Sequence, residues 1–164
     1  DIDLACRKLI FGHNKVCGLT RMEDIRAAAT SGAVYAGLIF AEKSPRALTL
    51  NAAEQLLREY RASAAPAIEF VGVFVNAAPS TITDTAASLQ LSAVQLHGTE
   101  TELEIAQLAE RLEQAGLTTQ IWKAVSVDAQ TGEEDMERSR RVNFRVLTNA
   151  EVTLRTIVEQ LRGD

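Results

Sequence analysis

The sequence predicts an α/β fold of parallel strands joined by helical crossovers. Apolar strand-like runs alternate with amphipathic helical segments five times along the chain. That alternation specifies parallel strands with right-handed connections. Two of the runs, 33–40 and 68–76, are almost continuously apolar, as strands covered on both faces must be. Helix punctuation falls between the runs: Gly12, Gly32 and Gly116 close helical segments, and Pro79 or Ser80 opens one.

Each element has a local reason. Residues 2–10 carry Ile2, Leu4, Ala5, Leu9 and Ile10 among charges, an amphipathic helix that either caps the fold or ends a linker from another domain. A strand over 14–17 runs into a Gly18 turn. Thr20, with Glu23 three residues on, has the spacing of a capping box for a helix over 21–31. The strand 33–40 leads to a loop, 41–48, stiffened by Pro45. A helix over 50–61 has Thr49 or Asn51 as its cap. The strand 68–76 precedes a helix over 79–90. The strand 92–97 ends at His97, and Thr99 with Glu102 repeats the capping-box spacing before a helix over 100–114. A strand over 119–125 follows. Residues 126–141 are polar and charged, consistent with a solvated helix or loop. A sixth strand over 142–147 and an amphipathic helix over 149–162 complete the chain.

Size and charge bound the function. The 164 residues suggest one domain, and 46% apolar content suffices for a core. Aromatic residues are only 5%, so packing relies on Ala, Val, Leu and Ile. The net charge of −5 argues against nucleic acid as a general partner. No apolar run has membrane-spanning length. The charged start lacks a signal-peptide core, and a reducing cytoplasm is the expectation. Cys6 and Cys17 form neither a metal motif nor a disulfide framework.

Strand starts recur at roughly 26-residue intervals, and eight such units would need about 205 residues, near the lower limit for a closed barrel. The chain is shorter than that. Two architectures stay open: an open α/β sheet, or a barrel that has lost units.

Candidate chemistry clusters at strand ends, where α/β proteins place it. Cys17 ends the first strand close to a helix N-terminus, which favours a thiolate; the alternative is a small buried hydrophobe. Arg46 offers a forked donor suited to carboxylate or phosphate, or is simply solvated. Gln95 and His97 lie two apart and share a strand face. Lys123, mid-strand, either points into a polar site or snorkels.

Five ordered stretches resemble one family. Lys15-Val16-Cys17-Gly18-Leu19-Thr20-Arg21 is similar to the first strand and turn of phosphoribosylanthranilate isomerases, which are (β/α)8 TIM barrels. Gly37-Leu38-Ile39-Phe40 with Ser44-Pro45-Arg46, Val71-Gly72-Val73-Phe74, Val94-Gln95-Leu96-His97-Gly98 and Ile121-Trp122-Lys123-Ala124-Val125 resemble its second to fifth strands. The implied fold is α/β, of the TIM-barrel family, in a shortened form with about six parallel strands. Cys6-Arg7-Lys8-Leu9-Ile10-Phe11-Gly12 resembles the junction in bacterial fusions with indole-3-glycerol-phosphate synthase. The expected organisation is therefore a linker or N-terminal helix over 1–13 and an isomerase-like domain over 14–164, fused to or packed on that synthase.

The resemblance implies an Amadori rearrangement in tryptophan biosynthesis. N-(5-phosphoribosyl)anthranilate, a small phosphorylated substrate, becomes 1-(2-carboxyphenylamino)-1-deoxyribulose 5-phosphate. By resemblance Cys17 is the general base, Arg46 contacts the anthranilate carboxylate, and His97 and Gln95 line the substrate site. No cofactor and no metal are implied.

The resemblance breaks near the end. The family's general acid is an Asp after strand six; here Thr148 stands in that position, and Asp128 is a weak substitute that requires its loop to fold inward. The Gly-Gly turn of the family's phosphate site is absent from the sequence. About two βα units are expected to be missing between Leu147 and Asn149. The junction reads as two distant segments written as adjacent, as a true deletion, or as a designed or drifted fragment. The alternative function is then a catalytically inactive domain that packs on a partner or binds an anionic ligand.

Overall fold

A computed structural model describes residues 2–127 and 141–147. These form two compact units, Asp1–Val73 with Asp84–Ser92, and Phe74–Thr83 with Ala93–Asp164. Thr148, Asp128, most of the polar stretch 126–141 and the final helix expected over 149–162 lie outside the described residues.

The first unit opens with α1 (Ile2–Phe11), then β1 (Lys15–Cys17), α2 (Met22–Thr30), β2 (Tyr35–Ile39), α3 (Leu50–Ala62) and β3 (Glu69–Phe74). β1 and β2 pair in parallel with Cys17 opposite Gly37, and β2 and β3 pair in parallel with Ala36 opposite Phe70. On α3, Ala53, Leu56, Leu57 and Tyr60 are buried at the 3.6-residue period. Tyr60 meets Phe70 edge-on at 5.7 Å and donates its hydroxyl to Pro66 O at 2.5 Å. The face carrying Phe70 and Ala36 is therefore the helix-covered one, and Val16, on the same face of the edge strand β1, stays exposed. Side chains alternate along a strand, so Lys15, Cys17, Tyr35, Gly37 and Glu69 occupy the other face.

α1 closes the amino-terminal end of that other face. The buried Arg7 guanidinium donates to Ala29 O at 3.1 Å, to Ala33 O at 3.0 Å and to Ala67 O. Lys8 Nζ pairs with Glu69 at 2.6 Å and lies 5.6 Å above the Tyr35 ring. Ile2, Leu9 and Ile10 stay exposed.

The second unit contains β4 (Ala93–Leu96), α5 (Glu102–Gln114), β5 (Gln120–Val127) and β6 (Arg141–Leu147). α4 (Pro79–Leu89) is divided, Pro79–Thr83 belonging to the second unit and Asp84–Leu89 to the first. β4 and β5 are parallel, with Gln95 opposite Trp122 and Leu96 opposite Lys123. The core of α5 is Ile105, Leu108, Ala109 and Leu112.

Three expectations need correction. The sixth strand is not parallel: β6 runs antiparallel to β5, from Val127 opposite Arg141 to Ile121 opposite Leu147. A parallel return needs a crossover that packs on the sheet, whereas antiparallel neighbours need only a loop. Between 128 and 140 the only apolar side chains are Ala129 and Met136, too few for a crossover helix to bury. Thr20 does not cap α2; the N-cap is Arg21, with no side-chain cap bond, and its guanidinium reaches Asp24 at 3.1 Å. Nor does Thr99 cap α5. The capping box is Thr101 with Glu104, because Thr99 N is already held by Asn76 Oδ1 at 2.8 Å.

Candidate active site

In the first unit, Cys17 and Arg46 come together as the sequence predicted. Cys17 ends β1 on the face away from the helices and is partly exposed. After β2 the chain turns tightly: Ser44 N donates to Ala41 O at 2.9 Å and Ala47 N to Ser44 O at 3.0 Å. Leu48 N then returns to Ile39 O at 2.8 Å, which lays residue 46 beside the end of β1. Arg46 Nη1 donates to Cys17 O at 3.2 Å. Its side chain is exposed, so its remaining donors can meet a ligand.

Gly18 makes this approach possible. It has φ +78°, and a Cβ there would stand 2.6 Å from Arg46 Cζ and Nη1. The left-handed backbone and the guanidinium lying against it both require glycine. Gly37 does the same for the sulfur: a Cβ on it would meet Cys17 Sγ at 2.9 Å. Lys15, two residues before Cys17 on the same face, escaped the sequence reading, although the i, i+2 spacing was visible. Burial pushes its ammonium below the ordinary lysine range, opposed by the charge and side-chain hydrogen bond of Cys17.

In the second unit, Gln95 is buried, at 2% exposure, and His97 is exposed just past the end of β4. The His97 amide is fixed by Phe74 O at 2.8 Å. Lys123 does not share their face: it is in register with Leu96, not with Gln95. It crosses to the turn after His97, where Nζ donates to Gly98 O at 2.7 Å and to Glu100 Oε2 at 2.5 Å. The Glu100 carboxylate also accepts from Asn76 N at 2.8 Å and Gly98 N at 3.1 Å. Burial raises the Glu100 carboxyl, but the Lys123 ammonium and these amides outweigh it and hold the group below the usual range. Glu100 is thus an anionic acceptor at neutral pH.

Among the described residues, no group of three or more His, Cys, Asp or Glu side chains is gathered as a metal ion would need. No helix among them is long and apolar enough to cross a membrane.

The chain is similar to known proteins. The chain is 48% identical over 130 residues to the tryptophan biosynthesis protein TrpCF of Haemophilus influenzae, covering 79% of this chain and 25% of that protein. It is 46% identical over 127 residues to TrpCF of Salmonella typhi, covering 77% and 26%. The chain thus spans about a quarter of the length of these relatives. Among solved structures, it is similar to a phosphoribosylanthranilate isomerase of Thermotoga maritima (TM-score 0.59, 38% identity, 72% of this chain and 55% of that one). A phosphoribosyl anthranilate isomerase in complex with reduced 1-(o-carboxyphenylamino)-1-deoxyribulose 5-phosphate is similar to the same degree, at TM-score 0.59 and 37% identity over 71% of this chain and 54% of that one. These likenesses bear out a shortened member of the TIM-barrel family. The model of the N-(5'-phosphoribosyl)anthranilate (PRA) isomerase family matches residues 14–152, and the chain belongs to that family.

Proposed function

We propose that the chain carries the site for the Amadori rearrangement of N-(5-phosphoribosyl)anthranilate in tryptophan biosynthesis. The observation that supports this best is the Arg46 guanidinium laid over Gly18 beside Cys17. A planar fork at that place suits the anthranilate carboxylate. The sulfur is then the nearby base for the C2 proton of the opened Schiff base. It is the thiolate form of the sulfur that would take that proton. Gln95 and His97 are proposed to line the substrate site. Residues 14–164 would form the isomerase domain, and 1–13 the helix that joins it to an indole-3-glycerol-phosphate synthase. The thiol base suits a reducing cytoplasm.

A second reading, binding without turnover, has its own support. Thr148 carries no acid, and β6 runs antiparallel to β5. Turnover of N-(5-phosphoribosyl)anthranilate by the chain and by Cys17→Ala separates the two. Loss of roughly 10²–10⁴ in rate on Cys17→Ala supports the isomerase. A variant as fast as the parent removes Cys17 from the mechanism. A parent that binds the reduced product analogue without turning over substrate supports the second reading.

A further inference from the structure

We infer that Asn76 is a positioning residue for His97: it holds the turn after β4 in one conformation and so presents the imidazole to the ligand. The inference rests on the reading of His97 as a residue that lines the substrate site. All the groups involved belong to the second unit.

The chain leaving β3 lies beside this turn and is tied to it. Phe74 O accepts from His97 N at 2.8 Å. Asn76 N donates to Glu100 Oε1 at 2.8 Å. Asn76 Oδ1 accepts from Thr99 N at 2.8 Å and from Thr99 Oγ1 at 3.3 Å. The Gly98 amide donates to the same Glu100 carboxylate at 3.1 Å, and the Gly98 carbonyl accepts from Lys123 Nζ at 2.7 Å. The main chain from His97 to Thr99 is thus held from three sides. The His97 ring is exposed and, among the described residues, makes no hydrogen bond. A free ring on a fixed main chain is the arrangement that meets a ligand without first being ordered.

Two features set Asn76 apart from an ordinary loop residue. It takes φ +50°, a left-handed conformation in which asparagine is enriched, and spends both its main-chain N–H and its side chain on the turn. Its reach also depends on Gly98. A Cβ on Gly98 would collide with Asn76 Oδ1 and stand 2.7 Å from Glu100 Oε1. Asn76 makes no hydrogen bond to His97 itself among the described residues, so any coupling between the two passes through the turn.

The test uses the full chain with Asn76→Gly, which removes Oδ1 and tolerates the left-handed backbone, and with Gly98→Ala, which displaces Oδ1 while leaving Asn76 in place. Hydrogen exchange at the Thr99 amide should quicken roughly three- to tenfold in both variants, with exchange along α5 unchanged in Asn76→Gly. Binding of reduced 1-(o-carboxyphenylamino)-1-deoxyribulose 5-phosphate, measured by calorimetry, should weaken roughly three- to tenfold in Asn76→Gly, because affinity falls with the fraction of molecules that hold the turn in place. In a His97→Ala background the same substitution should have no further effect, a coupling that a purely structural role does not produce. Thr99 exchange equal to the parent's in Asn76→Gly overturns the inference, whatever the ligand does. An equal rise along α5 overturns it too, since Asn76 would then support the unit as a whole. Where His97→Ala weakens binding, effects of the two substitutions that simply add also overturn it. Quickened Thr99 exchange together with parental binding by His97→Ala sinks the reading of His97 as a substrate-site residue and leaves the hold on the turn standing.

Discussion

The Glu100 carboxylate and the Lys123 ammonium meet at 2.5 Å with side-chain exposures of 4% and 16%. Twenty-three residues apart in sequence, they tie the end of β4 to β5, while Asn76 brings in the chain after β3. The pair fixes the turn that follows His97. Glu100→Met leaves a half-buried ammonium without its counter-charge and should destabilise the second unit by about 1–3 kcal/mol. Lys123→Met should do the same from the other side, and the double variant should cost less than the sum of the two. Urea denaturation of the four proteins measures this.

The same pair sets an acid limit. The Glu100 carboxyl lies below its ordinary value of 4.5 in the folded chain. Its contribution is fully present above that unfolded value and is lost as pH falls through the lower folded one. Stability should therefore drop below about pH 4.5, with a shallower drop in Glu100→Gln. Denaturation midpoints between pH 3 and 7 show whether the two slopes differ; equal slopes would assign acid sensitivity elsewhere.

Arg7 carries the second stability prediction. Its guanidinium serves three main-chain carbonyls, of Ala29, Ala33 and Ala67. These belong to the end of α2 and the segments entering β2 and β3. Arg7→Ala would leave these acceptors without that donor, and should cost about 3 kcal/mol. Lysine offers no planar fork, so Arg7→Lys should recover only part of it. Thermal unfolding of the two variants tests the order.

What was legible in the sequence was local. Cys17, Gly18 and the Pro45-Arg46 loop follow from strand, turn and crossover signals within short windows, and the structure places them together. The α3 stripe of Ala53, Leu56, Leu57 and Tyr60 was likewise written in its period. The rest depends on distant partners. Thr99 has the right spacing for a cap, yet Asn76 claims its amide first. Lys123 read as a polar intruder because its partner, Glu100, sits in another element. Asn76 has φ +50°, a conformation in which asparagine is enriched, and that was the one local sign of its role. The direction of β6 is not in its own residues at all; it depends on whether the connection before it can bury a face.

Gly18 and Arg46 predict a shared binding defect. Gly18→Ala places a Cβ 2.6 Å from the guanidinium and strains a left-handed backbone. Arg46 must then leave its place beside Cys17. Gly18→Ala and Arg46→Lys should each weaken binding of reduced 1-(o-carboxyphenylamino)-1-deoxyribulose 5-phosphate by roughly tenfold or more. Neither should weaken an analogue lacking the carboxylate to the same degree. Fluorescence titration with both ligands separates a lost carboxylate contact from general damage to the site.

The last prediction comes from strand direction. Family resemblance puts an acid after strand six, and Thr148→Asp is the obvious repair. β6, however, ends with Leu147 opposite Ile121, near the amino end of β5. His97 follows the carboxyl end of β4, which is parallel to β5. The carboxyl end of β6 thus points to the opposite end of the second unit from His97. Leu147, the last described residue of β6, lies away from the end of the unit where His97 is proposed to line the substrate site. Thr148→Asp should leave turnover of N-(5-phosphoribosyl)anthranilate unchanged, whereas a correctly placed acid would raise it by about 10²–10⁴. A gain of that size in Thr148→Asp would mean that the sixth strand is parallel when substrate is bound.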